Sequence, residues 1–298
     1  MLRGRFAPSP TGRLHLGNLK SALLGWAWAR ASKGEFLLRI EDLDRGRCRP
    51  EFTDFIFRDL EWLGLTWDGE VWKQSERTAL YDAHLERLRS AGLAYPCWCT
   101  RAEVARAASA PHVGEEGPVY PGTCRGRVEA PAGRTAAWRF RVAPGTTSVV
   151  DLVHGEVTQD VEHEVGDFVI RRNDGVASYQ LAVVVDDALS GVNAVLRGDD
   201  LLGSTPRQAR LQDALGFAHP QWAHVPLLMQ PDGKRLAKRE GTWTIEGLRA
   251  GGWSAERIIG VMAKWSGFGD GSAMSVGEFA AQFSLEKMSR VATVVEPL

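Results

Sequence analysis

The sequence predicts an α/β fold built on a parallel sheet, and three observations carry that prediction. A strand, a glycine-bearing loop, a helix and a second strand follow one another between Gly4 and Ile40. Short alternating segments rich in Gly and Pro set in from about Cys97, and long apolar runs return at "SYQLAVVVDDAL". A strand–helix–strand order is the crossover that joins parallel neighbours, so the first observation starts a parallel sheet and the second reads as an antiparallel insertion into it.

In chain order, Gly4 to Ala7 is a short buried strand, Pro8 to Gly12 a turn-rich loop and Gly17 to Ala31 a helix, with Phe36 to Ile40 as the next strand. Apolar residues at helical spacing predict helices over 51–63 and 76–91, the second capped by Ser75. "AAWRFRV" and "TSVVDLVHGEV" alternate as strands of the insertion. At "SYQLAVVVDDAL" the texture of a parallel sheet resumes, and helical spacing closes the chain at 255–266 and 275–283.

The totals set bounds. The chain has 298 residues, 44% hydrophobic and 24% charged, enough for a large core and about two compact units. Lys+Arg number 36 against Asp+Glu 37, so any nucleic-acid partner must be met by a local basic surface. No run of eighteen apolar residues and no signal peptide stand out, which makes the cytoplasm the expected compartment. Three of four cysteines cluster (Cys97, Cys99 and Cys124, with Cys48 apart), which in a reducing compartment points to a metal.

Two motifs carry chemistry. "RFAPSPTGRLHLGNLKSALL" (5–24) puts Gly12, His15 and Gly17 between a first strand and its helix, where open α/β sheets bind ligands. The helix N-terminus there offers N–H groups to an anion, and His15 can donate to a phosphate. "QPDGKRLAKREG" (230–241) crowds Lys234, Arg235, Lys238 and Arg239 into one turn, able to close over a polyphosphate. Taken singly, each also reads as an ordinary structural or solvated turn.

With "RIEDLDRGR" (39–47), "YQLAVVVDD" (179–187) and "LRGDDLLGSTPRQARL" (196–211), these five segments resemble the glutamyl-tRNA synthetases in content and order. His15-Leu16-Gly17-Asn18 stands in place of the HIGH motif of class I synthetases, and Arg235 to Arg239 in place of KMSKS. The resemblance implies a class I, Rossmann-like catalytic core divided into 1–92 and 177–240. Between the halves lies an insertion at 93–176, and after them a short helical subdomain at 241–298. It implies a glutamate site of Arg5, Phe6, Ala7, Pro8, Ser9, Glu41, Tyr179 and Arg197. His15, Gly17, Asn18 and Lys238 would hold ATP, with Mg²⁺ carried by the nucleotide, and His15 and Lys238 would be catalytic. Asn18 replaces the second histidine of HIGH and Ala237 the serine of KMSKS.

Three thiolates supply most of a tetrahedral zinc shell. Spacing alone offers His112 as the fourth ligand. Resemblance to a shortened branch of the family points instead to Tyr120, giving one structural zinc on Cys97, Cys99, Tyr120 and Cys124. That branch activates glutamate with ATP and without tRNA, and transfers it to the queuosine base of tRNA(Asp). Residues 240–298 are too few to reach an anticodon from the acceptor end, since a helix of about 20 residues spans about 30 Å. The expected partners are therefore ATP, L-glutamate and queuosine-containing tRNA(Asp), for a monomer that meets no membrane. Trp98, Arg101, Arg125 and Arg127 are candidates for contacting the RNA loop. A catalytic half of a glutamyl-tRNA synthetase and a non-catalytic regulatory paralogue are the alternatives.

Overall fold

The computed structural model describes residues 1–107, 118–231, 233, 236 and 243–295. The chain opens with β1 (Arg3–Phe6), α1 (Leu16–Ala31), β2 (Glu35–Ile40), α2 (Pro50–Trp62), β3 (Trp72–Lys73) and α3 (Thr78–Ser90). Then come β4 (Ala94–Cys97), α4 (Arg101–Ala107), β5 (Ala137–Phe140), β6 (Thr147–Asp151), β7 (Gly155–Gln159), α5 (Val161–Glu164) and β8 (Val169–Arg171). The second half holds α6 (Tyr179–Leu189), β9 (Ala194–Gly198), α7 (Thr205–Leu215), β10 (Gln221–Val225) and β11 (Leu228–Met229). It ends with α8 (Ile245–Ala250), α9 (Ala255–Trp265), α10 (Val276–Gln282) and β12 (Thr293–Val294). Among the described residues no helix is long and apolar enough to cross a membrane.

β1, β2 and β3 pair in parallel, as do β9, β10 and β6, with β7 added antiparallel at the edge. The two sets meet where Asn193 N donates to Arg3 O at 3.0 Å. Helix α1 crosses one face of this sheet. Eleven of its sixteen residues are buried, so it serves as a central core helix rather than a surface one. Period-2 alternation turns Phe6, Phe36, Leu38, Leu196 and Ala223 into the core shared with α1 and α8 to α10. The same alternation turns Arg5, Arg39, Arg197 and His224 to the opposite face, where α6 and α7 pack. Four polar side chains at strand ends thus meet on one side of the sheet.

Three expectations need correction. "SYQLAVVVDDAL" forms helix α6, not a strand. Ser178 caps it by accepting from Leu181 N, and the packing of Leu181 to Val185 against α3 and α7 overrides the β preference of three consecutive valines. Ser75 is not a helix cap: it lies in a 3₁₀ turn (Gln74–Glu76) and donates to Asp42 Oδ2 at 2.6 Å, while α3 begins after Arg77. β4, β5 and β8 form an antiparallel sheet in the expected insertion. The hairpin at 147–159, assigned by its pattern to that insertion, instead joins the main sheet through β6, which lies parallel to β10.

Candidate active site and metal centre

The loop after β1 brings His15 to the N-terminus of α1. Its Nδ1 accepts from Gly17 N at 3.1 Å, while Asn18 Oδ1 accepts from His15 N at 3.5 Å, a reciprocal cap. With Nδ1 an acceptor, the neutral ring carries its proton on Nε2, which makes it a donor there. Gly17 leaves room for this cap: a Cβ at this position would lie 2.9 Å from the imidazole Cε1 and push the ring aside.

Lys238 and Ala237 of the second motif lie outside the described residues. Their described flanks do meet the first motif. Thr244 forms a β-bridge with His15, and Ile245 N donates to Leu14 O at 3.1 Å. On the other flank, Leu236 N donates to Leu228 O, and the buried Lys20 of α1 donates through Nζ to Pro226 O at 2.7 Å. Burial pushes the Lys20 ammonium down to about 8, with Asp199 pulling the other way.

Arg5, at the carboxyl end of β1, donates through Nε to Asp187 of α6 at 3.2 Å. Arg39, at the end of β2, donates to the same carboxylate at 2.6 Å and to Glu41 Oε1 at 3.1 Å. Asp186 accepts from Arg77, Gln74 and Tyr81 at 2.7, 3.1 and 2.7 Å. Burial raises the Glu41 carboxyl against the pull of Arg39 and Arg5; at Asp187 burial acts the same way, but the two guanidinium groups win and lower it. Three cations thus face three carboxylates in a largely buried cluster. Arg39, Asp186 and Asp187 were not among the residues the motifs assign to a site. Phe6 and Pro8 are buried, Ala7 half-buried and Ser9 exposed at the same strand end.

Arg197 is different. The register of β9 and β10 sets it beside His224. Its Nε donates to His224 Nε2 at 2.9 Å, Nη1 to Tyr179 Oη at 3.1 Å, and Nη2 to Thr205 Oγ1 at 3.0 Å. Each of these acceptors is neutral. Among the described residues Arg197, only 5% exposed, makes no ion pair. Tyr179 and Arg197 are therefore brought together, while His224, Thr205 and Asp151 behind them went unseen in the sequence.

His224 Nδ1 donates to Asp151 Oδ2 at 2.7 Å. Burial, aided by the charge of Arg197, drives the imidazolium down to about 4, so the ring is neutral. Between pH 6.5 and about 4 the unfolded chain holds a proton at His224 that the folded chain does not. Stability therefore falls as pH drops through that window, by about 3 kcal/mol from this residue. Urea unfolding at about pH 7 and about pH 4 is expected to show this loss, and His224→Gln is expected to remove it.

The second centre lies in the insertion. Cys97, Cys99 and Cys124 place their sulfurs within 4.8 Å of one another, with Cys99 and Cys124 at 3.6 Å. Tetrahedral coordination at about 2.3 Å per thiolate needs edges of about 3.8 Å, so the three sulfurs could hold a metal ion. Tyr120 Oη lies 3.3 Å from Cys97 Sγ and 3.9 Å from Cys99 Sγ. His112 lies outside the described residues. Trp98, proposed to meet RNA, is buried among these cysteines, and Arg125 is bound to Asp167 at 2.5 and 2.7 Å. Neither presents a free stacking or phosphate-binding group; Arg101 and Arg127 are exposed.

Over residues 1–295 the chain matches the family described as tRNA synthetases class I (E and Q), catalytic domain. It is 50% identical over 285 residues to the glutamyl-Q tRNA(Asp) synthetase of Symbiobacterium thermophilum, covering 91% of this chain and 88% of that protein. It is 53% identical over 273 residues to the enzyme of the same name from Deinococcus radiodurans, covering 89% and 90%. It is structurally similar to the glutamate tRNA ligase of Elizabethkingia meningosepticum crystallised with its amino acid. That match has a TM-score of 0.85 at 27% identity, over 99% of this chain and 67% of that one.

Proposed function

The chain belongs to the catalytic-domain family of the class I tRNA synthetases for glutamate and glutamine, and from that membership we propose that it is a glutamyl-Q tRNA(Asp) synthetase. It activates L-glutamate with ATP, in the cytoplasm and without tRNA, and transfers the glutamyl group to queuosine in tRNA(Asp). In the first step a glutamate carboxylate oxygen attacks the α-phosphorus of ATP and pyrophosphate leaves. In the second, the base displaces AMP from the adenylate.

The observation that carries the substrate assignment is the isolated charge of Arg197. A buried guanidinium bound, among the described residues, only by neutral acceptors calls for an anion, because an unpaired buried charge costs several kcal/mol. Glutamate offers a side-chain carboxylate beyond the α-carboxylate that glutamine also carries, so Arg197 selects glutamate by receiving that side-chain carboxylate. Arg5 brings a second guanidinium, the Phe6 to Ser9 backbone lines the pocket, Tyr179 orients Arg197 and Glu41 receives the substrate ammonium. His15 donates from Nε2 to an ATP phosphate beside Gly17 and Asn18, and Lys238 follows the departing pyrophosphate, where stabilising developed charge is the main catalytic work. Magnesium enters with the nucleotide.

The test is radiolabelled glutamate transfer to tRNA(Asp) with and without queuosine, and to tRNA(Glu). Label on queuosine-containing tRNA(Asp) alone is expected. Equal labelling of both tRNA(Asp) forms, or label confined to tRNA(Glu), refutes the proposal.

We further propose that the second centre holds one structural zinc through Cys97, Cys99, Tyr120 and Cys124. The position of the Tyr120 oxygen, 3.3 and 3.9 Å from the sulfurs of Cys97 and Cys99, supports it as the fourth ligand, and Cys124 N donates to that oxygen at 2.9 Å. A zinc ion held there would cross-link the end of β4 to the 120–124 turn. Elemental analysis is expected to find one zinc per chain, lost in Cys124→Ser. Stripping the metal is expected to lower Tm by several degrees and to alter Trp98 fluorescence, while ATP–pyrophosphate exchange falls less than transfer to tRNA.

A further inference from the structure

A buried cation that must bind a substrate carboxylate competes with the protein's own acids for its charge. In the Arg5–Arg39 cluster the protein's carboxylates make direct contact. At Arg197, among the described residues, they do not. Asp151 is set one imidazole ring behind it: Asp151 Oδ2 accepts from His224 Nδ1 at 2.7 Å and His224 N at 3.0 Å, while Oδ1 accepts from Val153 N and His154 N, both at 2.9 Å. Every lone-pair direction of the Asp151 carboxylate is thereby committed away from the guanidinium.

We propose that His224, locked by Asp151 into its Nδ1–H tautomer, is a positioning residue that fixes Arg197 and keeps Asp151 out of contact with it. The guanidinium charge is then left for the substrate carboxylate, and glutamate is selected over glutamine. The proposal rests on the reading of Arg197 as the carboxylate anchor.

The tautomer is the working part. Nε2 accepts from Arg197 Nε at 2.9 Å and stands 3.2 Å from the Thr205 hydroxyl, so it must be unprotonated. Burial keeps the ring neutral, which leaves its single proton on Nδ1, facing Asp151. In Asp151→Asn the amide oxygen keeps the turn at Val153 and His154, but its NH₂ faces Nδ1. The ring then accepts at Nδ1 and carries its proton on Nε2, against the Nε–H of Arg197. Two donors confront each other, and the guanidinium is displaced without any change to the pocket's own side chains.

The experiment is ATP–pyrophosphate exchange with separate titrations of glutamate, glutamine and ATP. Asp151→Asn is expected to raise KM for glutamate by about 30-fold, with KM for ATP and kcat within about threefold, and to lower the preference for glutamate over glutamine. His224→Leu removes the acceptor and should behave likewise. His224→Gln places a side-chain oxygen near Nε2 that needs no carboxylate behind it, so the rise there is expected to be about threefold only. Adding Asp151→Asn to His224→Gln should then cost little more.

A purely structural role predicts otherwise: Asp151→Asn would act equally in both backgrounds, or KM for glutamate and ATP would rise together with a falling Tm. Either result overturns the proposal. So does equality of His224→Leu and His224→Gln, which decides the matter even where Asp151→Asn fails to fold. If Arg197→Ala leaves KM for glutamate unchanged, the anchor reading itself fails. If Arg197→Ala is severe while Asp151→Asn and His224→Leu are not, only the present proposal does.

Discussion

Arg197→Ala is expected to raise KM for glutamate by two to three orders of magnitude, about 3 to 4 kcal/mol, with a much smaller change in KM for ATP. The size follows from the surroundings. In the protein the guanidinium is held by His224, Tyr179 and Thr205, none of which can neutralise it. A substrate carboxylate is thus the strongest partner open to it, and charge-assisted bonds away from water are about twice as strong as neutral ones. Arg197→Lys should recover little, because an ammonium cannot reach three separated acceptors and a carboxylate in one plane. Separate glutamate and ATP titrations check the prediction; equal shifts in both would show general disruption instead.

The same residue shows how far the sequence alone could lead. The loop from Pro8 to Gly12 and the helix after it were legible because their determinants are local, glycines and prolines just ahead of an apolar run; that His15 caps this helix was not read from the sequence. Arg5, Glu41, Tyr179 and Arg197 are proposed for the site through the resemblance alone, since each stands in a short apolar segment with no pattern of its own. The relay behind Arg197 was not legible. It joins His224 to a residue 73 positions away and Arg197 to one 27 away through strand register, and register leaves no local mark. One signal was available: a lone histidine in "QWAHVPLLM", on a strand that is otherwise apolar inward, must be paired if it is buried.

The misread segment, Ser178 to Leu189, fails for a related reason. Three valines in a row favour a strand, yet two consecutive aspartates must both be buried and satisfied. In α6 the turn of the helix sends Asp186 to Arg77, Gln74 and Tyr81 and Asp187 to Arg5 and Arg39. In a strand, successive side chains leave on opposite faces, and one of the pair would lose its partners. Trp98 misled in the other direction, because an aromatic between two cysteines fits a knuckle core as well as a base-stacking surface, and here the core has it.

Asp187→Asn is expected to cost about 3 kcal/mol of stability, a fall in Tm on the order of 10 °C. Asp187 is the shared counter-ion of Arg5 and Arg39, and all three side chains are less than a tenth exposed. Neutralising it leaves three guanidinium groups facing two carboxylates among side chains that are mostly buried. An isosteric amide can still accept one hydrogen bond, but it cannot cancel that charge. Added salt should not mask the effect, in contrast to the half-exposed Arg3–Glu35 pair, whose charges ions can screen. Because Arg5 also loses the bond that aims it, KM for glutamate should rise as well. Asp186→Asn separates the two consequences. Its hydrogen bonds come from Arg77, Gln74 and Tyr81, with Arg39 Nε 3.8 Å away and, among the described residues, none from Arg5, so its loss should lower Tm comparably while KM for glutamate moves much less. Matching KM changes in the two variants would mean that Arg5 is placed by the packing of α6 as a whole and not by the Asp187 carboxylate.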